Sequence, residues 1–444
     1  MLRKSDSMEK FFALNDHIDT PQKIFTKRMQ NCYLVLAYDK PNWMVLDEHE
    51  FALFSLIDKG LNIKDALNNY AKFSRESKET IIGRMQSLLE KIEKHEFYEA
   101  TSVSENEPIH QIKRNIHILL THKCNMRCIH CYMAAGNALS DELSTKQWKD
   151  AIERLSEAIS STEIVFSGGE PLTREDSIEI MSFAKKLGHR VVLFTNGTLV
   201  NSNNIQAILK CVDEIQMSME GTTKDSYERV RGKHTFDKFI RSLRIIKDYE
   251  IPLTIAVTLI PVNVSDIEEN LVSFLKDFDY ERVRVRINGK IEKEGNAKDL
   301  PAFFFEEEKR TGRIVTKITS ELVSIGYTKR MKHKRNVRFY NCGIGCSITI
   351  DSNGEIYPCS KLTVSSGNVV SRNVFDLLND FDTLNSNTEI TKMKLCMDCD
   401  LKFLCSGGCR IDNYLGNGSY LKPICDSNYK NSIYQELVDE SKED

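Results

Sequence analysis

Between residues 114 and 325, short apolar runs alternate with longer stretches in which apolar residues recur at helical spacing. The runs Ile116–Leu120, Glu163–Ser167, Val191–Thr195, Glu214–Met219, Leu253–Leu259 and Arg282–Ile287 predict strands, being brief and rich in β-branched residues. The stretches 144–160, 173–187, 202–211, 235–249 and 265–277 predict helices, and Ser144 with Gln147 has the spacing of a capping box for the first. This β-then-α alternation predicts an α/β fold, a parallel sheet joined by right-handed crossovers. Ligands in such folds sit beyond the C-terminal strand ends.

The flanks read differently. Residues 1–30 are weakly patterned, with helices predicted around Met8–Leu14 and Pro21–Met29. Residues 31–101 predict a small domain with strands at Tyr33–Ala37 and Trp43–Leu46, followed by three helices. Asp47 caps the first helix and Gly60 ends it. Ile63–Phe73 is the second, and Lys78–Lys94 the third, with Ile81, Ile82, Met85, Leu88, Leu89 and Ile92 as its apolar residues. A strand pair with three short helices is a winged-helix pattern, yet none of these helices has the basic character of a DNA-reading one. Residues 102–113 are polar and read as a linker. Further on, the basic run Lys329–Arg335 reads as solvated surface, and Asp351–Gly354 as the turn of a hairpin. The charged tail after Val438 is expected to fray.

The chain has 444 residues, 41% of them apolar and 28% charged, enough for several domains with ample core. A net charge of -3 gives no sign of a nucleic-acid partner. No apolar run reaches transmembrane length and the first residues do not resemble an export signal, so a cytoplasmic protein is expected, with no membrane partner. Of thirteen cysteines, three fall at 124–131 and eight between 342 and 425. In a reducing compartment such clustering suggests metal ligation rather than disulfides. Cys32 and Cys211 stand apart and read as small buried apolar residues.

Cys124, Cys128 and Cys131 lie directly after the first predicted strand. Three thiolates on a four-iron cluster leave one iron without a protein ligand, free to bind a small molecule. A zinc site or unrelated buried thiols are the alternatives that spacing leaves open.

Cys-x3-Cys-x2-Cys followed by an aromatic resembles the signature of the radical S-adenosylmethionine (SAM) superfamily, and Gly168-Gly169-Glu170-Pro171 after the second strand resembles its Gly-Gly-Glu motif. The resemblance implies that the sheet closes as a partial (β/α)6 barrel. It also implies that Cys124, Cys128 and Cys131 hold a [4Fe-4S] cluster whose open iron is chelated by SAM. Gly168 and Gly169 would let backbone approach the methionine moiety, Glu170 would accept from its ammonium, and Tyr132 would line the adenine. Asn196 and Ser218, at the ends of the third and fourth strands, are candidate partners of the SAM ribose or carboxylate, with turn capping as the alternative for each. Arg231 is a candidate for the SAM carboxylate, a surface ion pair being its alternative. Two departures stand out: Glu220 where many relatives carry Asp, and Asn296 in place of the arginine of a Gly-Arg-Ala element. Reductive cleavage of SAM would yield methionine and a 5′-deoxyadenosyl radical.

The second cysteine field runs Cys342-x3-Cys346-x12-Cys359, then Cys396-x2-Cys399-x5-Cys405-x3-Cys409, then Cys425. Zinc ribbons also use Cys-x2-Cys pairs, but eight cysteines in this order, with Cys405-Ser-Gly-Gly-Cys409-Arg410, resemble the SPASM extension of radical SAM peptide maturases. That resemblance implies two auxiliary [4Fe-4S] clusters, three clusters in all. One takes Cys342, Cys346, Cys359 and Cys409, and the other Cys396, Cys399, Cys405 and Cys425; without Cys342 as a ligand, one iron of the first would be open to a substrate thiolate. Residues 31–101 resemble the PqqD-like recognition element of peptide-modifying enzymes, which would bind a leader peptide by strand addition at an exposed edge near 33–37.

The expected organisation is an N-terminal extension (1–30), a PqqD-like domain (31–101), a linker (102–113), a radical SAM barrel (114–325) and a SPASM domain (326–444). The expected activity is modification of a ribosomally made precursor peptide, with a thioether or carbon–carbon crosslink as product and flavodoxin or ferredoxin as electron donor. An anaerobic sulfatase-maturing enzyme, making formylglycine, is the alternative. A non-catalytic zinc-ribbon winged-helix protein is a third reading.

Overall fold

A computed structural model of the chain describes residues 12–38, 40–98, 114–159, 162–278, 282–289, 291–306, 308–327, 341–361 and 364–442. The linker and the basic run Lys329–Arg335 lie outside them, as does most of the helix expected at Met8–Leu14. The chain divides into two compact units that do not follow the linear boundaries expected from sequence. One comprises Met1–Gln111, His333–Gly343 and Ser386–Asp444; the other comprises Ile112–Lys332 and Ile344–Asn385.

In the first unit, strands β1 (Ile24–Arg28), β2 (Tyr33–Ala37) and β3 (Trp43–Leu46) form an antiparallel sheet in the order β1-β2-β3. Two expectations are corrected here. The segment around Pro21–Met29 is not a helix, because Ile24, Phe25 and Thr26 pair with Ala37, Leu36 and Val35. The strand 33–37 offers no free edge, because β1 and β3 take both its sides; the edges are β1 and β3.

The helices Glu48–Asp58, Ile63–Phe73 and Lys78–Lys94 are each capped at the start, by Asp47, Asn62 and Ser77. Asp47 and Glu50 form a reciprocal capping box, and Gly60 follows the first helix at φ +88°. Val35, Ala37, Met44 and Leu46 pack against these helices. Leu34, Leu36 and Trp43, on the other face, pack against Ile433, Tyr434, Leu437 and Val438 of the helix Ser427–Lys442. Trp43 Nε1 donates to the Leu437 carbonyl (3.3 Å). Both faces of the sheet are covered, which is why β2 reads as an unbroken apolar run rather than an alternating one.

In the second unit, β4 (Asn115–Thr121), β5 (Glu163–Gly168), β6 (Arg190–Thr195), β7 (Glu214–Ser218), β8 (Leu253–Thr258) and β9 (Val283–Asn288) run parallel in sequence order. All six match predicted strands. Beyond β4 the sheet gains β10 (Ser347–Ile350), parallel to β4, and β11 (Ile356–Tyr357), antiparallel to β10. The hairpin around Asp351–Gly354, placed by sequence in the C-terminal domain, thus extends an eight-stranded sheet. Ile116, Ile118 and Leu120 and their counterparts on β5–β9 face the helix layer and form the main core. Strand alternation therefore sends His117, Ser167, Phe194, Gln216 and Ser218 to the opposite face.

Candidate active site at the C-terminal strand ends

The loop leaving β4 carries Cys124, Cys128 and Cys131, and it is held mainly by backbone. Cys124 N donates to the Gly136 carbonyl (2.9 Å) and Gly136 N to that of His122 (2.9 Å). Glu142 supports the loop from below, accepting from Thr121 Oγ1 (2.8 Å), His122 N (2.7 Å) and Leu139 N (3.1 Å). His122 Nε2 lies 2.7 Å from Asp351 Oδ1 on the hairpin that follows β10.

Each of the three sulfurs accepts a polar hydrogen: Cys124 from Met126 N (3.4 Å), Cys131 from Ala135 N (3.4 Å) and Cys128 from Arg231 Nη1 (3.5 Å). Burial pushes the Cys124 thiol up to about 11 and raises that of Cys128, so a thiolate here requires a cationic partner. Donors aimed at three clustered sulfurs suit an anionic iron–sulfur group, and the site fits the cluster that the sequence implies.

Gly168 and Gly169 are required by the chain itself. A Cβ at Gly168 would lie 2.4 Å from the Thr121 carbonyl oxygen, and one at Gly169 would lie 2.4 Å from that of Lys123. Gly168 also sits at φ +126°. Close packing of the β5 end on the cysteine loop therefore accounts for both glycines. Glu170 is fully buried and accepts from Thr195 Oγ1 (2.8 Å), Asn196 N (2.7 Å) and Leu172 N (3.2 Å), fastening the ends of β5 and β6 together. Burial raises its pKa against the pull of these donors. The Asn196 side chain caps its own turn, accepting from Thr198 N (2.9 Å) and donating to Asn125 Oδ1 (2.9 Å). Ser218 lies half-buried at the end of β7, and Tyr132 is 45% exposed.

Arg231 is not a surface residue. It ends the helix Lys224–Arg231, is 9% exposed, and pairs through Nε with Glu220. Burial opposes its charge, but Glu220 and then Cys128 outweigh that and hold its pKa well above the ordinary value. Sequence reasoning left Glu220 without a role and Asn296 as a departure; both contact this site. Asn296 N donates to the Cys131 carbonyl (2.8 Å) and Nδ2 to that of Cys128 (2.9 Å). A Cβ at the preceding Gly295 would lie 2.2 Å from the Cys131 carbonyl oxygen. The Gly-Asn-Ala element thus clamps the cysteine loop, and its glycine was the available signal.

The other cysteines fall in both units. Burial first, and then the charges of the nearby Cys399, Cys405 and Cys425, raise the Cys396 thiol to about 11. These four belong to the first unit, beside the helix Ser427–Lys442, as do Cys342 and Cys409; Cys346 and Cys359 belong to the second. Among the described residues, no group of three or more His, Cys, Asp or Glu side chains converges tightly enough to hold a single ion. Ligands of a four-iron cluster bind separate irons and stand farther apart than four ligands on one zinc. Cys211 is fully buried in the core of the parallel sheet, and Cys32 packs partly buried beside β2. Among the described residues no helix is long and apolar enough to cross a membrane.

The family model of the radical SAM superfamily matches residues 118–272. AdoMet-dependent heme synthase of Methanosarcina barkeri is 25% identical over 345 residues, covering 69% of this chain and 94% of that protein. PqqA peptide cyclase of Rhizobium meliloti is 24% identical over 322 residues, 69% of this chain and 85% of that protein. Among solved structures, Streptococcus suis SuiB bound to the precursor peptide SuiA superposes with a TM-score of 0.56 at 16% identity, covering 92% of this chain and 99% of SuiB. The structure of anSMEcpe with AdoMet and the Cp18Cys peptide gives 0.57 at 18%, covering 74% and 96%. Residues 118–272 thus match the radical SAM family model, and that stretch contains Cys124, Cys128 and Cys131 in the loop that leaves the first strand of the parallel run.

Proposed function

We propose that this chain is a cytoplasmic radical SAM enzyme that modifies a ribosomally made precursor peptide by an oxidative thioether or carbon–carbon crosslink. The observation that carries this reading is the reach of the fold likeness. SuiB, seen with its precursor peptide, matches nearly the whole chain, whereas the likeness to anSMEcpe leaves about a quarter of it unmatched.

In this reading residues 31–101 are a PqqD-like leader-binding domain and residues 326–444 a SPASM region whose eight cysteines hold two auxiliary [4Fe-4S] clusters. The leader would add to the outer edge of β3, displacing Lys91 Nζ from the Val45 carbonyl (3.1 Å); this edge borders a cavity of about 570 Å³ lined by Val45, Asp47, Ser87, Lys94, Gln435 and Val438. A reduced cluster on Cys124, Cys128 and Cys131 with bound SAM supplies a 5′-deoxyadenosyl radical for hydrogen abstraction. The protein's part would be to hold that pair: Tyr132 and Ser218 are the candidate SAM contacts, while Gly168, Gly169, Glu170, Asn196 and Arg231 fix the strand ends and the loop around it. Crosslinking removes two hydrogens from the peptide, one as the abstracted atom and the other as an electron and a proton; the auxiliary clusters would take up that electron, and flavodoxin or ferredoxin would supply the priming one.

The test is anaerobic incubation of the reconstituted enzyme with SAM, reductant and candidate precursor peptides, followed by mass spectrometry. A product lighter by two hydrogens, formed only when the leader is present, is expected. Equal modification of leaderless peptides would sink the leader reading, and an aldehyde trapped by hydrazide would favour sulfatase maturation instead. A second reading, haem synthesis, is favoured by the near full-length match to the M. barkeri enzyme; it predicts that an added iron porphyrin binds and is consumed.

A further inference from the structure

Arg410 directly follows Cys409 and has 0% exposure, one of the largest fully buried side chains in the protein. Its Nε donates to the Thr388 carbonyl (2.8 Å) and Nη1 to the Gly408 carbonyl (2.9 Å), while Nη2 has no acceptor. Among the described residues it has no carboxylate partner; the strongest charges acting on it are the thiols of Cys342, Cys396, Cys405 and Cys409. The chain is bent to enclose it. Ser406, Gly407 and Gly408 take left-handed φ values of 54°, 74° and 72°, and a Cβ at Gly407 would lie 3.1 Å from Nη1.

A guanidinium cannot shed its proton to escape the cost of burial. Two neutral carbonyls do not offset its charge, and both N–H groups of Nη2 remain unused. Arg231, the other buried arginine beside cysteines, has Glu220 against it. Among the described residues, Arg410 can obtain its counter-charge only from thiolates, and from sulfides if a cluster is bound.

We propose that Arg410 is a positioning residue of the auxiliary cluster site. Its free Nη2–H donates to a sulfur of a cluster held by these cysteines, and its charge raises that cluster's reduction potential. This rests on the reading that the C-terminal cysteines bind iron–sulfur clusters. A donor and a fixed positive charge beside sulfur stabilise the reduced, more negative state, so the cluster accepts an electron more readily. The cysteines acting on Arg410 include members of both expected quartets, so one side chain can influence electron uptake at either.

The experiment uses full-length protein carrying Cys124/Cys128/Cys131→Ala, so that only auxiliary clusters contribute. Iron and sulfide are counted after anaerobic reconstitution, and midpoint potentials are read by EPR-monitored redox titration. The parent is measured first: if it takes zinc instead of iron, the cluster reading itself has failed, before any change at Arg410. With iron present, Arg410→Gln is expected to lower one midpoint by at least about tenfold in the reduction equilibrium, about 59 mV for a one-electron couple. Arg410→Lys, which keeps the charge, should recover part of the shift. Loss of iron in Arg410→Gln but not in Arg410→Lys also supports the proposal, since charge alone then decides cluster retention. Unchanged midpoints in both variants overturn it, as does equal loss of iron and of helical circular dichroism in both, which would make Arg410 a packing residue.

Discussion

The two cysteine regions are built on opposite electrostatic plans. At Cys124–Cys131 the nearby cation, Arg231, is matched in advance by Glu220, and the loop is further held by Glu142, Asn296 and main-chain bonds. At Cys396–Cys425 the half-exposed Lys430 is matched by Asp400 (3.6 Å), but the buried cation, Arg410, has carbonyl partners alone among the described residues. The first region can keep its shape whether or not its ligands are ionised. If the second binds clusters as proposed, thiolate and sulfide charge would offset Arg410, and its folding would be coupled to ligation.

The largest effect expected is the loss of the first site. Cys124/Cys128/Cys131→Ala should abolish 5′-deoxyadenosine formation and cut iron from about twelve to about eight per chain. A variant that still cleaved SAM would end the assignment of that loop. Next comes Glu220→Gln, which strands Arg231 in a buried site. Urea unfolding of the parallel-sheet unit should register a loss of about 3–5 kcal/mol, and a negligible loss would erase the contrast between the two arginines. Removal of iron by chelation should then separate the regions directly. Hydrogen exchange should accelerate in the helix Ser427–Lys442 by about 100-fold, about 2.7 kcal/mol, while β5–β7 keep their protection. Uniform acceleration would mean that the plans do not differ.

A milder probe is pH. Burial lowers the His117 pKa from 6.5 to about 4. The unfolded chain therefore binds the extra proton first, so stability is full above pH 6.5 and falls as pH drops from 6.5 towards 4. The slope approaches about 1.4 kcal/mol per pH unit, and His117→Asn should flatten it in urea titrations at several pH values. The smallest effect expected is from Asn296→Ala, which removes the Nδ2 bond to Cys128 but keeps the backbone bond to Cys131. About 1 kcal/mol of stability should be lost, visible as faster iron release to a chelator.

Much of this was legible in advance where the cause is local. Strands β4–β9 appear where apolar runs predicted them, and Asp47, Ser144 and Gln147 cap as their spacing suggests. The errors came from partners distant in sequence. Pro21–Met29 read as helical because the pairing of Ile24 with Ala37 lies across a turn. Tyr33–Ala37 could be recognised as a strand, but its neighbours on both sides could not. Glu220 and Asn296 stood out only as departures from a family pattern, and it is their contacts with Arg231, Cys128 and Cys131 that reveal what they do.

By itself the sequence determined the parallel α/β core, the three-cysteine loop and the grouping of the remaining cysteines, because hydrophobic period and ligand spacing act over a few residues. Only the tertiary structure decided that β10 extends the parallel sheet, that the N-terminal sheet packs on the C-terminal helix, and that Arg231 meets a carboxylate while Arg410, among the described residues, meets none. Those outcomes depend on which faces and charges meet across hundreds of residues, and burial fixes them through contacts that no local pattern encodes.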